Sequence, residues 1–140
     1  MDAENASVNN NDKIHNSKII IVEDNEINMD LIKAMLERYD FNIVEAYDGF
    51  EAIEKINNNN DAFLILLDIG LPGIDGIEVF KRLKQSENTA DIPIIAVTAH
   101  AMKGNKEHLL SLGFNDFIEK PIDKNILFEK INKFLNPTSP

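Results

Sequence analysis

Four short apolar runs in this chain each end on a side chain able to do chemistry. Ile19 to Val22 runs into Glu23-Asp24, Phe63 to Leu67 into Asp68, Ile92 to Val97 into Thr98, and Phe114 to Ile118 into Glu119-Lys120-Pro121. Three carboxylates, a hydroxyl and an ammonium make a useful set only if folding gathers them. Carboxylates gathered that way are unstable alone, since a pair about 4 Å apart repels by about 4 kcal/mol at an effective dielectric of about 20. Either one is protonated or a cation binds. Oxygen ligands with room for water suit Mg²⁺, with Mn²⁺ as the alternative, and Mg²⁺ favours phosphate as a co-ligand. In the scheme that follows, Asp24 and Asp68 bind directly, Glu23 binds through water, and a loop carbonyl, for which Gly70 is the candidate, adds a ligand. With its charge neutralised, the Asp68 carboxylate can act as a nucleophile and hold a phosphoryl group as an acyl phosphate. Lys120 and the Thr98 hydroxyl can then meet the phosphoryl oxygens, and positioning plus electrostatics is most of what such a transfer needs.

Taken singly, each residue has a plainer reading. Asp68 could be a helix cap, Glu23-Asp24 a solvated turn, Thr98 an N-cap and Lys120 a surface lysine. Their joint placement on four run ends is what points to a site. Gly70, Gly73 and Gly76 form G-x-x-G-x-x-G, which is not the dinucleotide fingerprint, and loop flexibility accounts for them.

The elements that must position these residues follow from the same runs. Apolar stretches of that length without alternation, bounded by turn residues, are strands buried on both faces. Phe41 to Ala46 is a further, shorter strand. Between them lie helical patterns: Asn25 caps a helix with Ile27, Leu31, Ala34, Met35 and the Arg38 stem facing inward, and Asp48-Gly49 opens one with Ala52, Ile53 and Ile56. A third carries Ile77, Phe80 and Leu83, a fourth ends at Gly113, and a fifth, capped by Asp123, buries Leu127, Ile131, Phe134 and Leu135. Five β-α units with short connections predict an α/β fold, a doubly wound five-stranded parallel sheet of flavodoxin-like order 2-1-3-4-5. Ligands of such sheets bind outside the carboxyl ends of the strands, where these residues lie.

Length and composition bound the rest. A chain of 140 residues fits one domain, expected over 18–136, with a polar, Asn-rich, disordered arm over 1–17 (including His15) and a short tail over 137–140. No apolar run approaches the roughly 20 residues of a membrane span, and the amino terminus lacks a signal-peptide core. Cysteine is absent, which removes disulfides and thiolate metal sites and suits a cytoplasmic protein. A net charge of −10 argues against nucleic acid as a partner.

These residues, at these spacings, resemble the receiver domain of two-component response regulators. The likeness rests on I-I-I-V-E-D-N, L-L-D-I-G-L-P-G-I-D-G, A-V-T-A and E-K-P-I, and extends from Lys18 to Leu135. The resemblance implies Asp68 as phosphoacceptor, Glu23 and Asp24 as the acidic metal pocket, Thr98 as the switch hydroxyl and Lys120 as the phosphate-binding lysine. It implies Phe117 as the switch aromatic, for which an ordinary core phenylalanine is the rival reading, and a cis peptide at Lys120-Pro121. It further implies a histidine kinase or histidine phosphotransfer protein as donor. After transfer Thr98 turns inward, Phe117 fills the vacated space, and the surface of the fourth helix, fifth strand and fifth helix changes for a downstream protein target. Phosphorylation then shifts an existing balance, and moving from 1% to 99% active needs about 5.5 kcal/mol. Gly70 and His100 depart from commoner choices and bear on the lifetime of the phosphoryl group.

The stretch A-V-T-A-H-A-M-K-G is similar to that of stand-alone regulators of the DivK type and of receivers attached to hybrid histidine kinases. The polar ends favour a stand-alone regulator, with a receiver from a hybrid kinase as the alternative. A docking module that needs no phosphorylation, and an aspartyl-phosphate phosphatase, are the other readings. The phosphatase pattern D-x-D-x-T lacks its second Asp here, because Ile69-Gly70 follows Asp68.

Overall fold

A computed structural model describes residues 16–99 and 103–135. His15, His100, the tail and all of the expected arm except Asn16 and Ser17 lie outside those residues. Asn16 N donates to Asp40 O at 3.2 Å, and Ser17 O accepts from Asn42 N at 2.9 Å.

The strands are β1 (Lys18–Val22), β2 (Asn42–Ala46), β3 (Leu64–Asp68), β4 (Ile94–Thr98) and β5 (Asp116–Glu119). The helices are α1 (Glu26–Leu36), α2 (Gly49–Asn58), α3 (Gly76–Lys84), α4 (Lys103–Leu112) and α5 (Lys124–Leu135), with a 3-10 turn at Glu37–Tyr39. All strand pairs are parallel and the sheet order is β2-β1-β3-β4-β5, as the β-α repeat predicted. The strand boundaries differ from the apolar runs by one or two residues, and two of the shifts have a visible cause. Pro93 lacks an N–H, and β4 begins only after it. Phe114 belongs to the turn before β5, where it stacks on Phe80 at 4.0 Å between ring centroids while Asn115 N donates to Ile94 O at 2.9 Å.

Strand alternation divides the core into two layers. Ile20, Val22, Ile65, Leu67, Ile94 and Ala96 face α2, α3 and α4, meeting Ile56, Phe80, Leu83 and Leu109. Ile19, Ile21, Leu64, Leu66, Ile95 and Val97 face α1 and α5, meeting Met29, Ile32, Leu36, Leu127 and Ile131. Both layers are apolar, which explains runs without polar alternation. The sheet is therefore a rigid support for whatever its carboxyl edge carries.

The inward face of α1 corrects the sequence reading. Met29, Ile32 and Leu36 are buried, whereas Ile27 is 72% and Leu31 53% exposed and Ala34 and Arg38 are also exposed. The helix carries two apolar stripes, and only the one spaced i, i+3, i+7 fits over Ile19 and Ile21. Phe134 and Leu135 of α5 are half-buried rather than buried. The α1 assignment predicts unequal costs. Met29→Ala should lose about 2–5 kcal/mol of stability, and Leu31→Ala no more than about 0.5 kcal/mol. Urea unfolding of the two variants measures this; equal losses would contradict the observed face.

Candidate functional site

The convergence at the carboxyl edge is a consequence of the pleat. Glu23 continues the alternation of Ile19 and Ile21, Asp68 that of Leu64 and Leu66, and Lys120 that of Ile118. All three fall on the α1–α5 side. The ladder extends one step past the strands, with Glu23 N donating to Ala46 O at 3.0 Å and Lys120 N to Thr98 O at 2.8 Å. These bonds hold both side chains at fixed heights on the rim.

Lys120 Nζ lies 3.1 Å from Asp68 Oδ2 and 3.0 Å from Glu23 Oε1. The contact with Asp68 is a hydrogen bond, and that with Glu23 is an ion pair. Asp68 Oδ1 accepts from Gly70 N at 2.9 Å, and Glu23 Oε2 accepts from Asn25 N at 3.1 Å. Glu23 is 2% and Asp68 5% exposed, while Asp24 faces solvent. One oxygen from each of Glu23, Asp24 and Asp68 lies within 4.8 Å of the others. The Lys120–Pro121 peptide is cis.

The electrostatics of this cluster are unbalanced. One ammonium faces three carboxylates, and the partner of buried Glu23 Oε1 is the same Lys120 ammonium that bonds Asp68. Buried carboxylates in excess of their cations cost free energy, and a second cation at the triad would relieve it. The donors are hard oxygens with one open, solvent-facing side, which fits Mg²⁺ and not a thiolate or imidazole metal. For Gly70 the contact present is its amide on Asp68 Oδ1.

Burial pulls the Lys120 ammonium pKa down, but its pairing with Glu23 and Asp68 outweighs this, and the pKa lies above the usual lysine value. A raised lysine pKa contributes stability that is fully present below the unfolded value of about 10.4 and is lost as pH rises through the folded value. The stability gap between the wild type and Lys120→Met should therefore be constant from about pH 7 to 9 and close above about pH 10.4. Thermal unfolding across that range measures it, and a gap that persisted at the alkaline end would contradict the pairing.

Thr98 and Phe117 belong to the opposite side of the sheet. Thr98 is buried and level with Glu119, and Phe117 is level with Ala96. Phe117 is half-buried against the α2–α3–α4 layer, its ring approached by Lys130 Nζ of α5 at 4.5 Å and Lys106 Nζ of α4 at 5.4 Å. Lys130 Nζ also donates to Asp116 Oδ1 at 2.8 Å and to Phe117 O at 2.7 Å. Nothing in the spacing of Lys106 or Lys130 announced that they flank Phe117. His108 is exposed on α4. A groove of about 330 Å³ next to the site is lined by Glu23, Leu31, Met35, Lys120, Pro121 and Ile122 among others.

The response regulator receiver domain family matches residues 19–132. The polar-differentiation response regulator DivK of Brucella abortus is 40% identical over 117 residues, which span 84% of this chain and 94% of that protein. Hybrid signal transduction histidine kinase I of Dictyostelium discoideum is also 40% identical, over 82% of this chain but only 7% of the kinase. Among solved structures, the receiver domain of a sensor histidine kinase from Pseudomonas aeruginosa superposes with a TM-score of 0.78 at 31% identity, covering 86% of this chain and 98% of that domain. That structure has a magnesium ion coordinated in its active site cleft.

Proposed function

The chain belongs to the response regulator receiver domain family, and from that premise we propose that Asp68 accepts a phosphoryl group from a phosphohistidine and that the chain signals through altered protein binding. The observation that carries this reading is the triad of buried Glu23, solvent-facing Asp24 and buried Asp68, with Lys120 spanning the two buried members at 3.0 and 3.1 Å. An Asp68 oxygen attacks phosphorus, and the P–N bond breaks with its electron pair returning to the donor imidazole. Lys120, already beside Oδ2, meets the charge on the transferring group, and the Thr98 hydroxyl adds a donor once it turns inward from the opposite side of the sheet. Glu23, Asp24, Asp68 and the Gly70 carbonyl would hold Mg²⁺, which when bound neutralises phosphoryl charge. Glu23, buried and fixed by Asn25 N, keeps its carboxylate turned to the rim.

The donor is a histidine kinase or a histidine phosphotransfer protein. Ile27 and Leu31 leave an uncovered apolar stripe on α1, continuous at Leu31 with the groove beside Lys120. A donor helix with an apolar face could seat there with its phosphohistidine over Asp68. The downstream target reads the face formed by α4, β5 and α5. Phe117 supports this, since its ring contacts a lysine from each of the two helices, so its rotation would be felt by both. The match to DivK over 94% of that protein favours a single-domain regulator, expected in the cytoplasm. The equal identity to a hybrid kinase favours the second reading, a receiver within a larger protein. No helix of the described residues is long and apolar enough to cross a membrane.

Incubation with acetyl phosphate tests the reading without a cognate donor. Intact-mass measurement should find one phosphoryl group added when Mg²⁺ is present and none when it is chelated. Metal-independent addition, or none under either condition, would sink the proposal.

A further inference from the structure

We propose that Gly49, at the start of α2, is a positioning residue for the metal pocket, because its bare backbone seats Ile74 and thereby fixes the loop that joins Asp68 to α3. The inference rests on the reading of Gly70 and Asp68 as metal ligands. A Cβ added at Gly49 would overlap Ile74 Cγ1 and lie 2.8 Å from both Ile74 Cδ1 and the Ile74 carbonyl oxygen. Gly49 does not have a positive φ, so the backbone does not require glycine. As an α-helical residue it would be better replaced by alanine on propensity alone. Contact with Ile74 is the physical reason for its absence of a side chain.

Other restraints bracket the loop at its two ends. Ile69 N donates to Val97 O at 2.9 Å, Gly76 N donates to Ile69 O at 3.1 Å, and Leu71 is buried beneath it. Its far end abuts the site directly, since a Cβ at Gly76 would overlap the Asp68 carbonyl oxygen and lie 2.7 Å from Ile69 Cα. Gly70, which donates to Asp68 Oδ1, lies between these anchors. An obstruction at Gly49 cannot be relieved by an Ile74 rotamer alone, because the Ile74 carbonyl must also move. That displacement reaches Gly70 on one side and Gly76 on the other. Sub-ångström ligand displacement is what supporting residues of a metal site normally prevent.

The test is a Mg²⁺ titration of the full chain followed by the backbone amide resonances of Gly70, Gly73 and Gly76, with the metal-free spectra compared first. Gly49→Ala should shift those three amides without metal and weaken Mg²⁺ binding about tenfold, the lower end for outer-shell residues. Ile74→Ala, which unseats the loop without crowding α2, should also weaken binding, and it carries the test if Gly49→Ala does not fold. The double variant should bind no better than Ile74→Ala alone, since the carbonyl of residue 74 still lies 2.8 Å from the added Cβ. Folded Gly49→Ala or Ile74→Ala protein with wild-type amide positions and wild-type Mg²⁺ affinity would overturn the inference. A wild type that binds no Mg²⁺ would instead overturn the metal reading on which it stands.

Discussion

Asp68→Asn is expected to abolish phosphoryl incorporation from any donor while leaving the fold at least as stable as the wild type without metal. The loss is complete because an amide has no carboxylate oxygen to attack phosphorus. The stability result has the unusual sign for a buried residue. Asp68 forfeits its charged bond to Lys120 but also leaves a cluster in which three carboxylates share one ammonium. Each carboxylate pair costs up to about 4 kcal/mol at 4 Å and an effective dielectric of about 20. Removing one carboxylate relieves two such repulsions and loses one attraction. Asparagine retains an acceptor for the Gly70 amide, so no backbone donor is orphaned. Equal or higher thermal stability with no phosphorylation would mark Asp68 as retained for chemistry at a cost to the fold. A large destabilisation would mean that the residue serves the fold.

Lys120→Ala should act in the opposite direction on stability. It removes the positive charge hydrogen-bonded to Asp68 and paired with Glu23, leaving two buried carboxylates facing each other. Breaking a buried pair by removing one partner costs about 3–5 kcal/mol. The lysine side chain keeps about a quarter of its surface in solvent, so about 1–3 kcal/mol is the reasonable expectation after screening. Mg²⁺ should recover much of it, because the metal replaces the lost charge. The phosphorylation rate should fall about 10²–10³-fold, the usual cost of one aimed donor at a charged transition state. Denaturant titrations with and without Mg²⁺, beside rates from acetyl phosphate, separate the two effects. A variant as stable and as reactive as the wild type would show that Lys120 is an ordinary rim lysine.

Why one edge gathers these groups was legible in the sequence, because a strand buried on both faces announces itself as an unbroken apolar run. Asp68 follows such a run directly, and so do Glu23, Thr98 and, after Glu119, Lys120. The alternation of Ile19, Ile21 and Glu23 even carried the information that Glu23 turns toward Asp68. The face of α1 was not legible. Its residues offer two apolar stripes, and only the shape of the sheet beneath selects Met29, Ile32 and Leu36. Contacts between segments distant in sequence were equally hidden. No sequence pattern marks Ile74 as the neighbour of Gly49, or Lys106 and Lys130 as neighbours of the Phe117 ring. Sequence pattern reports what each element buries, whereas these contacts depend on which elements become neighbours.

The central claim is that a phosphoryl group is carried on the carboxylate of Asp68 and on no other side chain. Borohydride reduction of the phosphorylated protein tests it directly, since hydride cleaves an acyl phosphate and converts that aspartate to homoserine, which peptide sequencing by mass then locates. The account predicts homoserine at position 68 alone, in an amount matching the phosphoryl incorporated. Homoserine at position 24 instead, or phosphoryl incorporation with no reducible acyl phosphate, would contradict it.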